Sequence, residues 1–229
     1  MRYCFKKVWR SWWACKGGFS LVEVALALLI VGIMLGAIMK GQQIYEGAKL
    51  QTIINQVDQI RIAHLAFVDR YGALPGDYDG ASIVFESHVP NGDGDGIIAG
   101  RALQQGADTT LYWQHLAAAQ LLHLPYVQGV PTSRCGGVFT IEHDSDQTGS
   151  RAGVWVTLGN ITGDYGDAGL LTPQQAYLLN KKHDDGGPET GMIRSETGRH
   201  AANACIVPGQ NRYNLTIAEP VCVMYFKIA

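Results

Sequence analysis

Asn91, Asp93 and Asp95 place three oxygen-bearing side chains at alternate positions, with Gly96 sixth and Ile97 seventh in the same run. A hard cation such as calcium takes six to eight oxygens, and short acids spaced in this way supply several with little strain. The run Asn91-Gly92-Asp93-Gly94-Asp95-Gly96-Ile97 therefore opens like a calcium loop, in which the Ile97 backbone carbonyl would be the next ligand. The twelfth position, where a bidentate Glu normally closes such a loop, is Ala102. A complete site needs acids brought in through space, and Asp77, Asp79, Asp184 and Asp185 are the sources in reach. The competing reading is a Gly/Asp turn that holds no ion.

Other chemistry is sparse. The sequence contains no HExxH, GxSxG, P-loop or CxxC, and its seven histidines form no metal-ligand spacing. Asp184-Asp185 after Lys181-Lys182 reads as a helix end running into the Gly186-Gly187-Pro188 turn, not as an acid/base pair. No catalytic residue is assigned, and the chain is expected not to be an enzyme. The basic residues form no patch interleaved with aromatics, so nucleic acid is not an expected partner.

The elements that would carry these groups begin with a polar asymmetry. Across 229 residues the chain is 47% hydrophobic and 17% charged with a formal net charge of −2, which excludes a disordered or multi-span membrane protein. The average conceals a split. Residues 1–18 hold Arg2, Lys6, Lys7, Arg10 and Lys16 and no acid, so the remainder carries a balance of −7. Phe19–Met39 follows, with eleven Leu, Ile or Val among its 21 residues and Glu23 as its one ionisable side chain. As a helix it would be about 31 Å long, enough to cross a hydrocarbon core of about 30 Å. Each aliphatic residue favours insertion by roughly 0.3–0.6 kcal/mol, and together they outweigh one carboxylate near the end of the span. The basic flank should stay cytoplasmic, which puts everything after Met39 across the membrane. No small-x-small cleavage site follows the run, which ends Ile38-Met39-Lys40. An acid inside a span needs a partner. Cleavage after Gly18 would create one, because the new amine of Phe19 could lie beside Glu23 of a neighbouring chain.

Gly18-Phe19-Ser20-Leu21-Val22-Glu23, preceded by a basic leader, resembles the processing site of the type IV pilin and type II secretion pseudopilin superfamily. The resemblance implies that a prepilin peptidase cuts after Gly18, that Phe19 becomes the methylated terminus, and that Glu23 assists assembly. It further implies other pilin or pseudopilin subunits, an inner-membrane assembly platform and membrane lipid as partners. The protein would be held in the inner membrane as a single-pass chain with a periplasmic head, then moved into a periplasmic or surface filament. Many family members have a proline at the twenty-second mature position, where this chain has Lys40. Any local melting of the helix would fall to Gly32, Gly36 and Gly41. The alternative reading is an uncleaved, signal-anchored periplasmic binding protein or enzyme.

Beyond Gly41 the helical period continues through Ile44, Ala48, Ile53, Val57, Ile60, His64, Leu65, Val68 and Tyr71, with Gly72 a natural stop. The expected organisation is a leader over 1–18, a membrane or filament-core helix over 19–39, its amphipathic half over 40–71, and a head over 72–229. The helix would be roughly 80 Å long. In the head, Asp108-Thr109-Thr110 is predicted to cap a helix running through Leu121 and Leu122 to a stop at Pro125, and Thr172-Pro173-Gln174-Gln175 to open another with a capping box. Val138–Ile141, Val154–Leu158 and Val221–Phe226 read as strands. The fold class is α+β, a long N-terminal helix packed on a small antiparallel-sheet head of pilin-like form.

Cleavage would remove Cys4 and Cys15 and leave Cys135, Cys205 and Cys222. An exported head lies in an oxidising compartment. A Cys205–Cys222 bridge would contribute about 3 kcal/mol in the loop-entropy model, and it resembles the C-terminal disulfide-bounded loop of many pilins. Cys135 is then left over or pairs instead, and spacing does not choose between these.

Overall fold

The computed structural model describes residues 20–85, 89–144 and 151–229. Its first element is a single helix, α1 (Leu21–Tyr71), of 51 residues. The chain divides into two compact units, Met1–Gly47 and Ala48–Ala229, so α1 contributes to both.

In the first unit, the described residues are one helical stretch. It contains an 18-residue window of mean hydropathy 2.7, none of it buried, and is long and apolar enough to cross a membrane. The helix runs unbroken through Gly32, Gly36 and Gly41.

In the second unit, α1 presents Leu50, Ile53, Ile54, Val57, Ile60, Ala63, His64 and Phe67 as a buried face. Steps of three and four place these residues on one side of the helix. Leu65, predicted on that stripe, is 53% exposed, and so is much of Ile62. The face is centred on Ile53, Ile60 and Phe67, and Leu65 is rotated away from it at about 100° per residue. The helix ends as predicted. Gly72 takes φ +69°, and its amide donates to Val68 O at 2.9 Å.

The chain then forms α2 (Ala81–Val84), α3 (Asp108–Ala118), the two-residue strands β1 (Tyr126–Val127) and β2 (Val130–Pro131), β3 (Val138–Asp144), β4 (Gly153–Thr162), β5 (Tyr165–Ala168), α4 (Pro173–His183), β6 (Ile193–Thr197) and β7 (Cys222–Lys227). The main sheet is antiparallel in the order β3-β4-β7-β6, with β5 added to β4. Its register sets Phe139 opposite Leu158, Ile141 opposite Val156, Val156 opposite Phe226 and Leu158 opposite Met224. These residues share one face because side chains alternate along a strand, and they form a single core with the buried face of α1. On the opposite face Trp155, Val223 and Tyr225 make a second buried cluster. The Arg151 guanidinium lies 3.9 Å from the centre of the Tyr225 ring and 3.1 Å from Glu196. This is the α+β class expected.

Two helix ends differ in detail from the sequence reading. Asp108 is the first residue of α3 and does not cap it, since the N-cap is Ala107 and makes no side-chain bond. The helix stops at Ala118 because Gln120 adopts φ +55° and Leu121 N–H donates to Leu116 O at 3.0 Å. That left-handed closure ends the helix before Pro125 is reached. The capping box of α4 is present in full. Gln175 N–H donates to Thr172 Oγ1 at 3.2 Å and Thr172 N–H donates to Gln175 Oε1 at 3.1 Å.

Candidate assembly helix and acidic cluster

Gly18 and Phe19 lie outside the described residues. Glu23 lies in the first turn of α1 and is exposed. The unsatisfied amides of a helix N-terminus favour negative charge in the first turn. Val24 N–H donates to Ser20 O at 3.1 Å, so the helical bonding pattern begins at Ser20. Leu21, Val22, Val24, Leu26, Leu28 and Leu29 surround the acid in sequence, and all are well exposed in the single chain. The arrangement is one carboxylate within an apolar helical surface that is unburied among the described residues.

The second site is in the head, where two turns meet. Leu74-Pro75-Gly76-Asp77 follows the end of α1, and the Gly92–Ile97 loop folds back on it. Gly94 N–H donates to Asp77 O and Gly92 N–H donates to Tyr78 O, both at 3.0 Å. The approach is so close that a Cβ on Gly92 would lie 2.3 Å from Gly76 O, which only glycine permits. One carboxylate oxygen from each of Asp77, Asp93 and Asp95 lies within 4.8 Å of the others.

Asp77 is 3% exposed, whereas Asp93 and Asp95 face solvent. Asp77 Oδ2 accepts from Gly96 N–H at 3.0 Å, and Asp77 Oδ1 is buried with no hydrogen-bond partner among the described residues. Burial raises the Asp77 carboxyl above the usual range, with Gly96 N–H opposing and the adjacent Asp93 adding to the rise. Asp95 Oδ1 accepts from Ile97 N–H at 2.7 Å, which fixes the loop around its acid. Asp108, also buried, has its Oδ2 bonded to Ala99 N–H at 3.1 Å. Its carboxyl is raised first by burial and then by the charges of Asp93, Asp77 and Asp95.

Of the residues proposed from sequence, the structure therefore joins Asp93 and Asp95 to Asp77. Asn91 sits at the edge of the loop with its Oδ1 accepting from Ser82 N–H at 2.7 Å. Ile97 is engaged through its amide. Asp184 and Asp185 are occupied elsewhere. Asp184 Oδ2 accepts from Ile193 N–H at 2.6 Å, and Asp185 Oδ2 accepts from the Thr190 hydroxyl at 2.6 Å. The linear pattern could not single out Asp77, because it comes from a different turn.

Cys205 and Cys222 form a disulfide with Cα atoms 5.1 Å apart. Cys135 lies outside it, and its thiol donates to Lys49 O at 3.1 Å.

The model of the prokaryotic N-terminal methylation motif matches residues 13–39, a span that takes in Gly18, Phe19, Glu23 and the apolar run. No curated protein and no solved structure matches the chain significantly. The chain thus carries the prepilin-type methylation motif of type IV pilins and pseudopilins, followed by a long helix and an antiparallel-sheet head.

Proposed function

We propose that this protein is a prepilin-like structural subunit of a type IV pilus or a type II secretion pseudopilus. Prepilin peptidase cuts after Gly18, and Phe19 is methylated as the new terminus. The mature helix is held in the inner membrane until the assembly platform passes the subunit into a filament with others of its kind. The observation that carries this reading is one coincidence in sequence. The methylation motif spans residues 13–39, and its described part lies on the start of α1, where the apolar membrane-length window is unburied among the described residues.

The chemistry of assembly follows from the surroundings of Glu23. A carboxylate among apolar side chains is stabilised by an opposite charge within a few ångströms. Cleavage generates such a charge at the amine of Phe19, four residues before Glu23 in the same chain and available to Glu23 of the next. The apolar faces that leave lipid are then covered by other copies of the helix, and the head stays outside the core. The head is displayed outside that core, and the sequence carries none of the HExxH, GxSxG or P-loop motifs of catalytic sites.

Intact-mass measurement of the protein extracted from membranes tests the reading. A chain beginning at N-methylated Phe19 supports it. A chain retaining residues 1–18 in cells with an active prepilin peptidase overturns it and favours a signal-anchored periplasmic protein. Loss of surface fibres on deletion would assign the pilus, and loss of secreted proteins the pseudopilus.

A further inference from the structure

We propose that Asp77, Asp93 and Asp95 bind a calcium ion that clasps the Gly92–Ile97 loop to the turn following α1. The cluster alone would not justify this, since exposed acids often gather without an ion. The buried member does. Asp77 is 3% exposed, and its Oδ1, with no donor among the described residues, belongs to a carboxylate grouped with those of Asp93 and Asp95. None of the ion pairs among the described residues involves these three acids. A buried carboxylate without a counter-charge is costly, and two like neighbours increase the cost. A cation at their common focus removes both penalties.

The ligand set selects the ion. Among the described residues only oxygens converge, with no imidazole or thiolate, which disfavours zinc and copper. Two oxygens bound at about 2.4 Å are at most about 4.8 Å apart across an ion. The three carboxylate oxygens satisfy that limit. Magnesium demands about 2.1 Å and near-ideal octahedral order, which a loop anchored on one side by a buried acid and open on the other does not impose. The exposed sides of Asp93 and Asp95 leave room for water to complete a calcium shell of six to eight oxygens. The ion would bridge segments that are otherwise joined by the two backbone bonds from Gly92 and Gly94 and by Gly96 N–H to Asp77.

The test uses the full chain in detergent, stripped with EDTA, with calcium chloride or magnesium chloride titrated in. Heats of binding and the melting temperature of the head are followed together. Half-saturation by calcium is expected at about 10⁻⁴–10⁻³ M, the range of extracellular modules. At tenfold excess over that value the melting temperature should rise by about 3–6 °C. Asp93→Asn and Asp95→Asn, both at exposed positions, should each weaken calcium binding tenfold or more while the melting temperature in EDTA is held or raised. Asp69→Asn, an exposed acid on α1, should leave calcium binding unchanged. Three results would overturn the assignment: no calcium heat and no thermal shift, an Asp93→Asn/Asp95→Asn double variant that binds like the parent, or magnesium acting as strongly as calcium.

Discussion

His64 Nδ1 on α1 lies 3.2 Å from the Tyr112 hydroxyl on α3, both side chains being fully enclosed. Burial, reinforced by His143, lowers the His64 pKa to about 4, so the ring is neutral at pH 7 and Nδ1 can accept from the hydroxyl. The unfolded ring titrates near 6.5. Between those two values the unfolded chain binds more protons than the folded one, so stability is complete above about pH 6.5 and falls as pH drops toward 4. The loss should reach about 3 kcal/mol from this group. Denaturant titrations of the head from pH 7 to pH 4 would measure it. His64→Phe should flatten that part of the profile while costing about 1–2 kcal/mol at pH 7, because the Tyr112 hydroxyl loses its acceptor.

The Cys205–Cys222 bridge anchors the start of β7 to the loop after β6, and both residues are fully buried. Reduction frees a 17-residue separation in the unfolded chain. The expected loss is about 3 kcal/mol, or roughly 6–12 °C in melting temperature for a unit of this size. Melting with and without a membrane-permeant reductant checks this. A head that melts identically in both states would mean that the bridge contributes nothing.

The parts of this protein legible in sequence are those written along the chain. The methylation motif and its apolar run stand in fixed register over residues 13–39, so a linear pattern suffices. The same holds for the capping box of α4, where Thr172 and Gln175 act three residues apart. What was illegible depends on contacts between distant segments. β6 reads Ile-Arg-Ser-Glu-Thr, with little apolar alternation, and is a strand because Arg194 pairs with Tyr225 and Glu196 with Val223 on β7. Asp77 joins Asp93 and Asp95 because Gly92 lets two backbones touch, not because of its spacing from them. The end of α3 was set by the left-handed Gln120, a conformation that composition does not announce.

Asn180 is the polar centre of the region that holds β6. It is fully buried, with Nδ2 within 2.9 Å of Gly187 O, Ile193 O and Tyr213 Oη, while its Oδ1 accepts from Gly186 N–H at 2.9 Å. Asn180→Leu has a similar volume and satisfies none of them. Leaving two carbonyls and an amide without partners should cost about 3–5 kcal/mol, beyond the range of an ordinary surface change. Chemical unfolding of the variant would read this directly, and a loss below 1 kcal/mol would show that water takes over the bonds.

Gly18 and Glu23 belong to different steps of the proposed assembly, so their variants should separate. Gly18→Ala adds a methyl at the bond to be cut and should leave the precursor with its basic leader, seen as a slower band and a heavier intact mass. Glu23→Ala leaves that bond untouched and should be processed and methylated normally. It lacks the carboxylate that would meet the amine of Phe19 on a neighbour, so it should accumulate in the membrane and enter filaments poorly. Glu23→Gln keeps the shape and removes the charge. If the ion pair is what matters, it should fail as Glu23→Ala does, with filament yield reduced at least tenfold, the effect of about 1.4 kcal/mol per subunit. Wild-type yield from Glu23→Gln would assign the role to packing instead. Normal cleavage of the Gly18 variant would remove the basis for placing the mature terminus at Phe19.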